Sequence, residues 1–341
     1  MEKPVTAVVS RACPPAAIDE QLALLWRDAG REGPVARALM ANLVVFRDCP
    51  ARERVDLSAP LDDVPVAEVA RRHPSRVILL YHGGQKDLRS PNDATISVLL
   101  FGDPPTRFGV EQIAIRSACA EASLPSIVRR LALGDVPTSI WWTEDLARAT
   151  PLQSLVKMGR QLVYDSRHWS DVREGVLALA PLLDQADAPD LADLNWRRLA
   201  PMQQGIAEAL KAANTPAPRG ALRIRIQHRA GDAALAWLLG GWFRSRLEWS
   251  TPDWPIAMEE SALDGEVLTV TFGDDGPGEA TATMNGDRVL VKYRTNMAPF
   301  SMAVPRQTDA EAVAAELRNL GYDVALRDTL VALARHFKAP S

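Results

Sequence analysis

Apolar residues recur along this chain with two periods, and they divide it into helical and extended stretches. After Pro14 and Pro15, residues Ile18, Leu22, Leu25 and Trp26 share one helical face, and Gly30 and Gly33 end that segment. The run 38–46 is almost continuously apolar and reads as a buried strand. A short helix is expected near 64–71. A strand at 76–81 follows His73 and Pro74, because the residue before a proline is driven away from helical backbone. Alternation at 94–101 and 110–117 predicts two further strands, with Gly-Asp-Pro-Pro at 102–105 as the turn between them. Three successive strands joined by turns predict an antiparallel meander.

Ser123 is placed to cap a helix carrying Leu124, Ile127, Val128 and Leu131, with Pro125 tolerated in its first turn. A strand at 136–142, a helix at 152–158, a strand at 161–164 and a helix at 172–183 come next. This rhythm implies parallel strands covered by helices. The acidic stretch 184–193 reads as a loop. Residues 193–201 (Asp-Leu-Asn-Trp-Arg-Arg-Leu-Ala-Pro) then open a new helical region. Asp193 and Arg197 are four apart and would pair on one helix face, while Pro201 suits the first residue of a second helical segment running to about 213.

Residues 214–220 have the composition of a linker. Beyond them lie a strand at 222–227 and an apolar helix behind Asp232, with Leu235, Leu238, Leu239, Trp242 and Phe243 at helical spacing. Strands are expected at 266–272, 280–284 and 288–293, with turns at 273–278 and at Asn285-Gly286. Thr308 and Glu311 form a capping box for a helix that Gly321 closes, and a last helix starts near Asp328. The expected fold class is α/β. Residues 1–186 form a mixed α/β N-terminal domain with a partly parallel sheet, and residues 187–341 an α+β C-terminal domain with antiparallel strands. Both halves hold three strands followed by a helix (76–131 and 266–320), which fits a diverged duplication or a coincidence of common motifs.

Composition narrows the function. The 341 residues are enough for two cores, and a net charge of −4 argues against a nucleic-acid partner. The most apolar run, 233–243, is far short of the roughly 18 to 20 residues that cross a bilayer. The N-terminal Met-Glu-Lys-Pro lacks the apolar segment of an export signal, so no membrane association is expected. Cys13, Cys49 and Cys119 match neither a disulfide framework nor zinc spacing, which implies a reducing, cytoplasmic setting. The glycines at 83–84 and 273–278 fit no phosphate-binding loop. His73, His82, His168, His228 and His336 are scattered singly, and no serine sits in G-x-S-x-G. No metal, cofactor or catalytic set is expected from these motifs, while a site assembled from distant residues stays open.

Eight of the nine tryptophans fall between Trp141 and Trp254. Trp141 and Trp142 end a strand, so their side chains point to opposite faces, and one can be buried while the other stays near the surface. Asp165 and Arg167 follow a strand and precede Trp169, at a sheet edge where sites commonly gather. Core packing accounts for most of these residues. Tryptophan and arginine are also the residues most enriched at binding hot spots. Trp141, Trp142, Asp165, Arg167, Asp193, Trp196, Arg197 and Arg198 are therefore the candidate site, either a partner-binding surface or a domain-interface network. A deep pocket holding Arg167, Arg197 and Arg198 would favour anion or sugar-phosphate binding; a flat surface bearing tryptophan would favour a protein partner.

Several motifs occur together in order. They are 37–46 with Asn42-Leu43-Val44-Val45, 73–77 (His-Pro-Ser-Arg-Val), 136–142 (Val-Pro-Thr-Ser-Ile-Trp-Trp), 162–167 (Leu-Val-Tyr-Asp-Ser-Arg), 193–201, and 239–249 with Gly240, Gly241 and Trp242. Together they resemble the OpcA family, the glucose-6-phosphate dehydrogenase assembly proteins. The likeness is clearest from about residue 37 to 250 and weaker to the end. It implies a non-catalytic partner of glucose-6-phosphate dehydrogenase that aids assembly of the active oligomer or raises its affinity for substrate. This chain departs from the family at Met202-Gln203-Gln204, where an arginine-bearing continuation is usual. With no cysteine after Cys119, it also lacks an evident basis for the redox control of cyanobacterial members.

Overall fold

The computed structural model describes residues 7–59, 61, 63–86, 94–103, 105–118, 121–148, 152–185, 187–212, 223–247, 254, 256–262, 265–273, 279–294 and 297–339. The chain begins with β1 (Ala7–Cys13), α1 (Ile18–Ala29), the short β2 (Ala36–Arg37), β3 (Ala41–Val55) and α2 (Val66–Arg72). Next are β4 (Ser75–Lys86), β5 (Ala94–Phe101), β6 (Phe108–Ser117) and α3 (Leu124–Leu131). Strand and helix then alternate through β7 (Thr138–Trp142), α4 (Leu152–Val156), β8 (Gln161–Tyr164), α5 (Val172–Leu183) and β9 (Asp190–Asp193). The long α6 (Leu194–Ala212) leads to β10 (Arg223–His228), α7 (Ala233–Arg246) and β11 (Ile256–Glu260). The chain finishes with β12 (Glu266–Gly273), β13 (Ala280–Asn285), β14 (Arg288–Tyr293), β15 (Phe300–Ala303), α8 (Asp309–Arg318) and α9 (Val324–Lys338).

Two sheets organise these elements, and the mixed α/β class is as expected. In the first the order is β1-β5-β6-β4-β3-β7-β8-β9, with β2 beside β6. The strands from β6 through β9 in this order are mutually parallel, and β5 and β1 add an antiparallel margin. The meander expected over 76–117 does not form. β4 pairs with β6 in parallel, Ile78 opposite Ile113, and β5 lies outside β6. Residues Val77, Ile78, Leu79 and Leu80 are buried on both faces, which an interior parallel position satisfies.

Each face of this sheet has its own cover. Val44, Phe46, Ile78, Leu80, Trp142 and Tyr164 pack with α1, α3 and α5 on one side. Leu43, Val45, Val77, Leu79 and Trp141 pack with α2 and, from the far end of the chain, with Val313 and Leu317 of α8 on the other. Trp141 and Trp142 do point to opposite faces, but both are buried, at 5% and 1% exposure. Neither stays near the surface, because α8 covers the Trp141 face.

The second sheet runs β11-β10-β12-β13-β14-β15, antiparallel apart from β10 with β11. Its inner face, with Ile224, Ile226, Leu268, Val270, Val289 and Val291, packs on α6 and α7. Asn285 Oδ1 accepts from the amides of Asp287 and Arg288, which closes the expected hairpin. The first sheet's β4 and β6 are parallel neighbours, whereas β12, β13 and β14 form a true meander. The two runs therefore differ in topology, and the duplication reading gains no support from it. The linker at 214–220, most of the turn at 273–278 and Cys119 lie outside the described residues.

Helix ends depart from expectation where capping chemistry decides. The Thr308–Glu311 box forms, with bonds of 3.2 and 3.0 Å. α8 nonetheless stops at Arg318, short of Gly321, and α9 starts at Val324 because Asp323 accepts from the Leu326 amide at 2.9 Å. Ser123 and Asp232 stand at N-cap positions without side-chain bonds to helix amides. Residues 190–193, expected to be loop, form β9. Pro201 lies inside the continuous α6 and does not open a second segment. No helix among the described residues is long and apolar enough to cross a membrane.

Candidate functional site at the junction of the sheets

The site is built on the last two strands of the first sheet. β8 ends at Tyr164, and Asp165 turns the chain into a short 3-10 turn, its carboxylate accepting from the Arg167 amide at 3.1 Å. β9 lies parallel to β8 with Asp193 opposite Tyr164. Asp193 immediately precedes α6, where helix amides lack intrahelical partners. Its Oδ1 accepts from the Asn195 amide at 2.8 Å and the Ser166 amide at 3.1 Å. One carboxylate thus ties the ends of β8 and β9 together. Among the described residues its Oδ2 is buried without a hydrogen-bond partner, as are Tyr164 OH and Ser166 Oγ.

The expected Asp193–Arg197 pair does not form. Asp193 is 2% exposed and turned into the strand ends, while Arg197 and Arg198 reach other elements. Arg198 grips Asp165 with two parallel bonds of 2.8 and 2.9 Å, the bidentate geometry that makes such pairs strong, and adds a 2.9 Å bond to Asp309 on α8. Arg167 spans the same two carboxylates at 3.3 and 3.4 Å. Arg197 bonds Glu316 of α8 at 2.8 Å and Gln307 at 3.0 Å. The Trp196 indole donates to Asp323, the α9 cap, at 2.9 Å, and Gln161 of β8 donates to the Glu316 carbonyl at 3.1 Å. Three consecutive residues of α6 therefore fasten it to β8, α8 and α9.

Two neighbouring carboxylates have opposite electrostatics. Burial pushes the Asp165 carboxyl up, but the hydrogen bonds and charge of Arg198, with the charge of Arg167, outweigh it and hold the group below the usual range. Asp193 is pushed up to about 7 by burial and by the Asp165 charge, against the partial relief of its bonds to Ser166 and Asn195.

Six of the eight residues singled out from sequence meet here: Asp165, Arg167, Asp193, Trp196, Arg197 and Arg198. Trp141 and Trp142 do not join them. They sit in the core on either face of β7, where Trp142 stacks on Phe46 with centroids 4.3 Å apart. Sequence reasoning missed Asp309, Glu316 and Asp323. Asp309 lies in the first turn behind the capping box, but nothing local tells which arginine it meets.

The arginines also line a cleft of about 730 Å³ between the junction and the second sheet. Arg167, Arg197 and Arg198 share its wall with Arg229 and Arg306. Among the described residues, no group of three His, Cys, Asp or Glu side chains is arranged to hold a metal ion.

Fold and site define an α/β protein of two sheets, locked by a partly buried ion-pair junction. The chain belongs to the OpcA family. Residues 66–181 match the model described as the glucose-6-phosphate dehydrogenase subunit N-terminal domain, and residues 189–330 match that described as its C-terminal domain. A relative from Nostoc punctiforme, provisionally named OxPP cycle protein OpcA, is 28% identical over 64% of this chain and 47% of its own length. A relative of the same name from Synechococcus elongatus is 31% identical over 62% of this chain and 48% of its own. The chain thus spans about half the length of the curated relatives it matches. Among solved structures, an NAD binding oxidoreductase from Klebsiella pneumoniae superposes with a TM-score of 0.42 at 9% identity, covering 86% of this chain and 96% of that one. A dehydrogenase (MviM) from Clostridium difficile gives 0.40 at 8%, covering 88% and 97%. Nothing about activity follows from likenesses this distant.

Proposed function

We propose that this chain is a non-catalytic assembly factor and allosteric activator of glucose-6-phosphate dehydrogenase, acting in the cytoplasm in the oxidative pentose phosphate pathway. The observation that carries the reading is the match to both subunit-domain models, one on each side of the junction. They end and begin at residues 181 and 189, which supports a division into domains 1–186 and 187–341. The free, buried thiols of Cys13 and Cys49 support a reducing compartment.

A non-catalytic role is supported by the same family match. The eight residues named from sequence serve the function indirectly in this proposal. Trp141 and Trp142 are core, and the six polar-junction residues fix the orientation of the two halves that the dehydrogenase meets. The burial of Asp193 and Trp196 and the bonds that the arginines make to Asp165, Asp309 and Glu316 support this over direct contact. An activator of this kind works by binding the active oligomer more tightly than the inactive one. A coupling of about 1–3 kcal/mol would change substrate affinity roughly 5- to 150-fold.

The first test is association. Mixing the chain with its cognate dehydrogenase should shift the enzyme to a larger species on sizing with light scattering. Two independent peaks at micromolar concentration would contradict the proposal.

A further inference from the structure

The cleft beside the junction has a charge arrangement that joining two halves does not require. Its wall carries five guanidinium groups, from Arg167, Arg197, Arg198, Arg229 and Arg306, against one lining carboxylate, Asp232, which Arg229 engages at 2.9 Å. Asp165 and Glu316 stand behind the arginines they hold; Asp309, which also bonds Arg167 and Arg198, is 47% exposed, and none of the three lines the cleft. Side chains of Asp165 and Glu316 are 8% and 14% exposed, while those of Arg198, Arg197 and Arg167 are 29%, 34% and 40% exposed. The carboxylates thus fix the guanidinium planes and leave donors facing the cavity. Among the described residues, Arg197 keeps Nη2 free of its bonds to Gln307 and Glu316, and Arg198 keeps Nε. Arg306 is exposed and has no ion-pair or hydrogen-bond partner among the described residues.

Size and the remaining lining restrict the ligand. About 730 Å³ suits a small organic molecule and is far more than an inorganic anion fills. The amides of Asn195, Gln204, Asn285 and Gln307 add polar groups suited to hydroxyls, beside apolar Leu235, Met284 and Met302. We infer that this cleft binds a phosphorylated sugar, with the phosphate held by Arg306 and the remaining donors of Arg197 and Arg198, and the hydroxyls by the amides. The site is independent of the proposed partnership: the chain could bind such a ligand with or without a dehydrogenase attached.

The test is isothermal titration calorimetry of the full chain at about 0.1 M ionic strength, with glucose 6-phosphate, glucose and inorganic phosphate as probes. The ester should bind at least tenfold more tightly than either fragment. Arg306→Gln removes no internal bond. It should weaken ester binding about five- to tenfold and leave the melting temperature unchanged, and Arg197→Gln should weaken it further. No ester binding at millimolar concentration, equal binding of ester and phosphate, or wild-type affinity in both variants would each overturn the inference. If the ester fails to bind but Arg306→Gln abolishes association with the dehydrogenase, the cleft instead receives an acidic segment of that partner. The proposed function would then stand without the ligand site.

Discussion

At the scale of single residues, the junction depends on two carboxylates held in opposite senses. Asp193 has a folded-state value raised to about 7, above an unfolded value of about 4. Its contribution to stability is therefore complete below about pH 4 and is lost as the pH rises through 7. Asp165 is lowered, so its contribution is present above its unfolded value and lost as the pH falls. Asp193→Asn keeps an acceptor for the Asn195 and Ser166 amides and removes the buried charge. Urea unfolding should show the variant near wild type at or below pH 4 and more stable by about 1–3 kcal/mol at pH 8. An unchanged pH slope would contradict this assignment. A polar network around Asp193, Arg197 and Arg198 was one of the two arrangements the sequence allowed, but their partners were not legible. The four-residue spacing made Asp193 and Arg197 look like a helical pair, whereas the cap position turns Asp193 toward β8 and frees Arg197 for Glu316.

At the scale of elements, helices with a clear apolar period were legible, and so were strands with turn signals on both sides. Residues 161–164 and 172–183 occupy the expected elements throughout. β9 was not, since Asp-Leu-Ala-Asp has no strand signature of its own and is extended because β8 offers it a parallel edge. The apolar helix α7 was legible as buried, but its glycines carry a further message. A Cβ on Gly241 would lie 2.8 Å from Leu333 Cγ and 3.0 Å from the Thr329 carbonyl of α9. Gly241→Ala gains about 1 kcal/mol of helix propensity and incurs about 1–3 kcal/mol of overpacking against a backbone that cannot step aside easily. A net loss of up to about 2 kcal/mol is expected in chemical unfolding. A more stable variant would show that α7 and α9 have room to separate.

At the scale of the whole molecule, the chain's last third returns to its first. α8 covers the Trp141 face of the first sheet, and α9 packs on α5 and α7. Such long-range closure has no local signal, which is why Trp141 could be placed on a face but not predicted to be covered. It also gives the proposed activator one continuous, fixed shape, with α6 at its centre bonded to β8, α8 and α9. That shape is what an oligomerising enzyme would recognise. The most direct measurement of the central claim is the apparent KM of the cognate dehydrogenase for glucose 6-phosphate, titrated with this chain. Saturable lowering of KM by fivefold or more, at a stoichiometry set by complex formation, is the predicted result. A KM that stays constant while the chain is in molar excess would contradict the account.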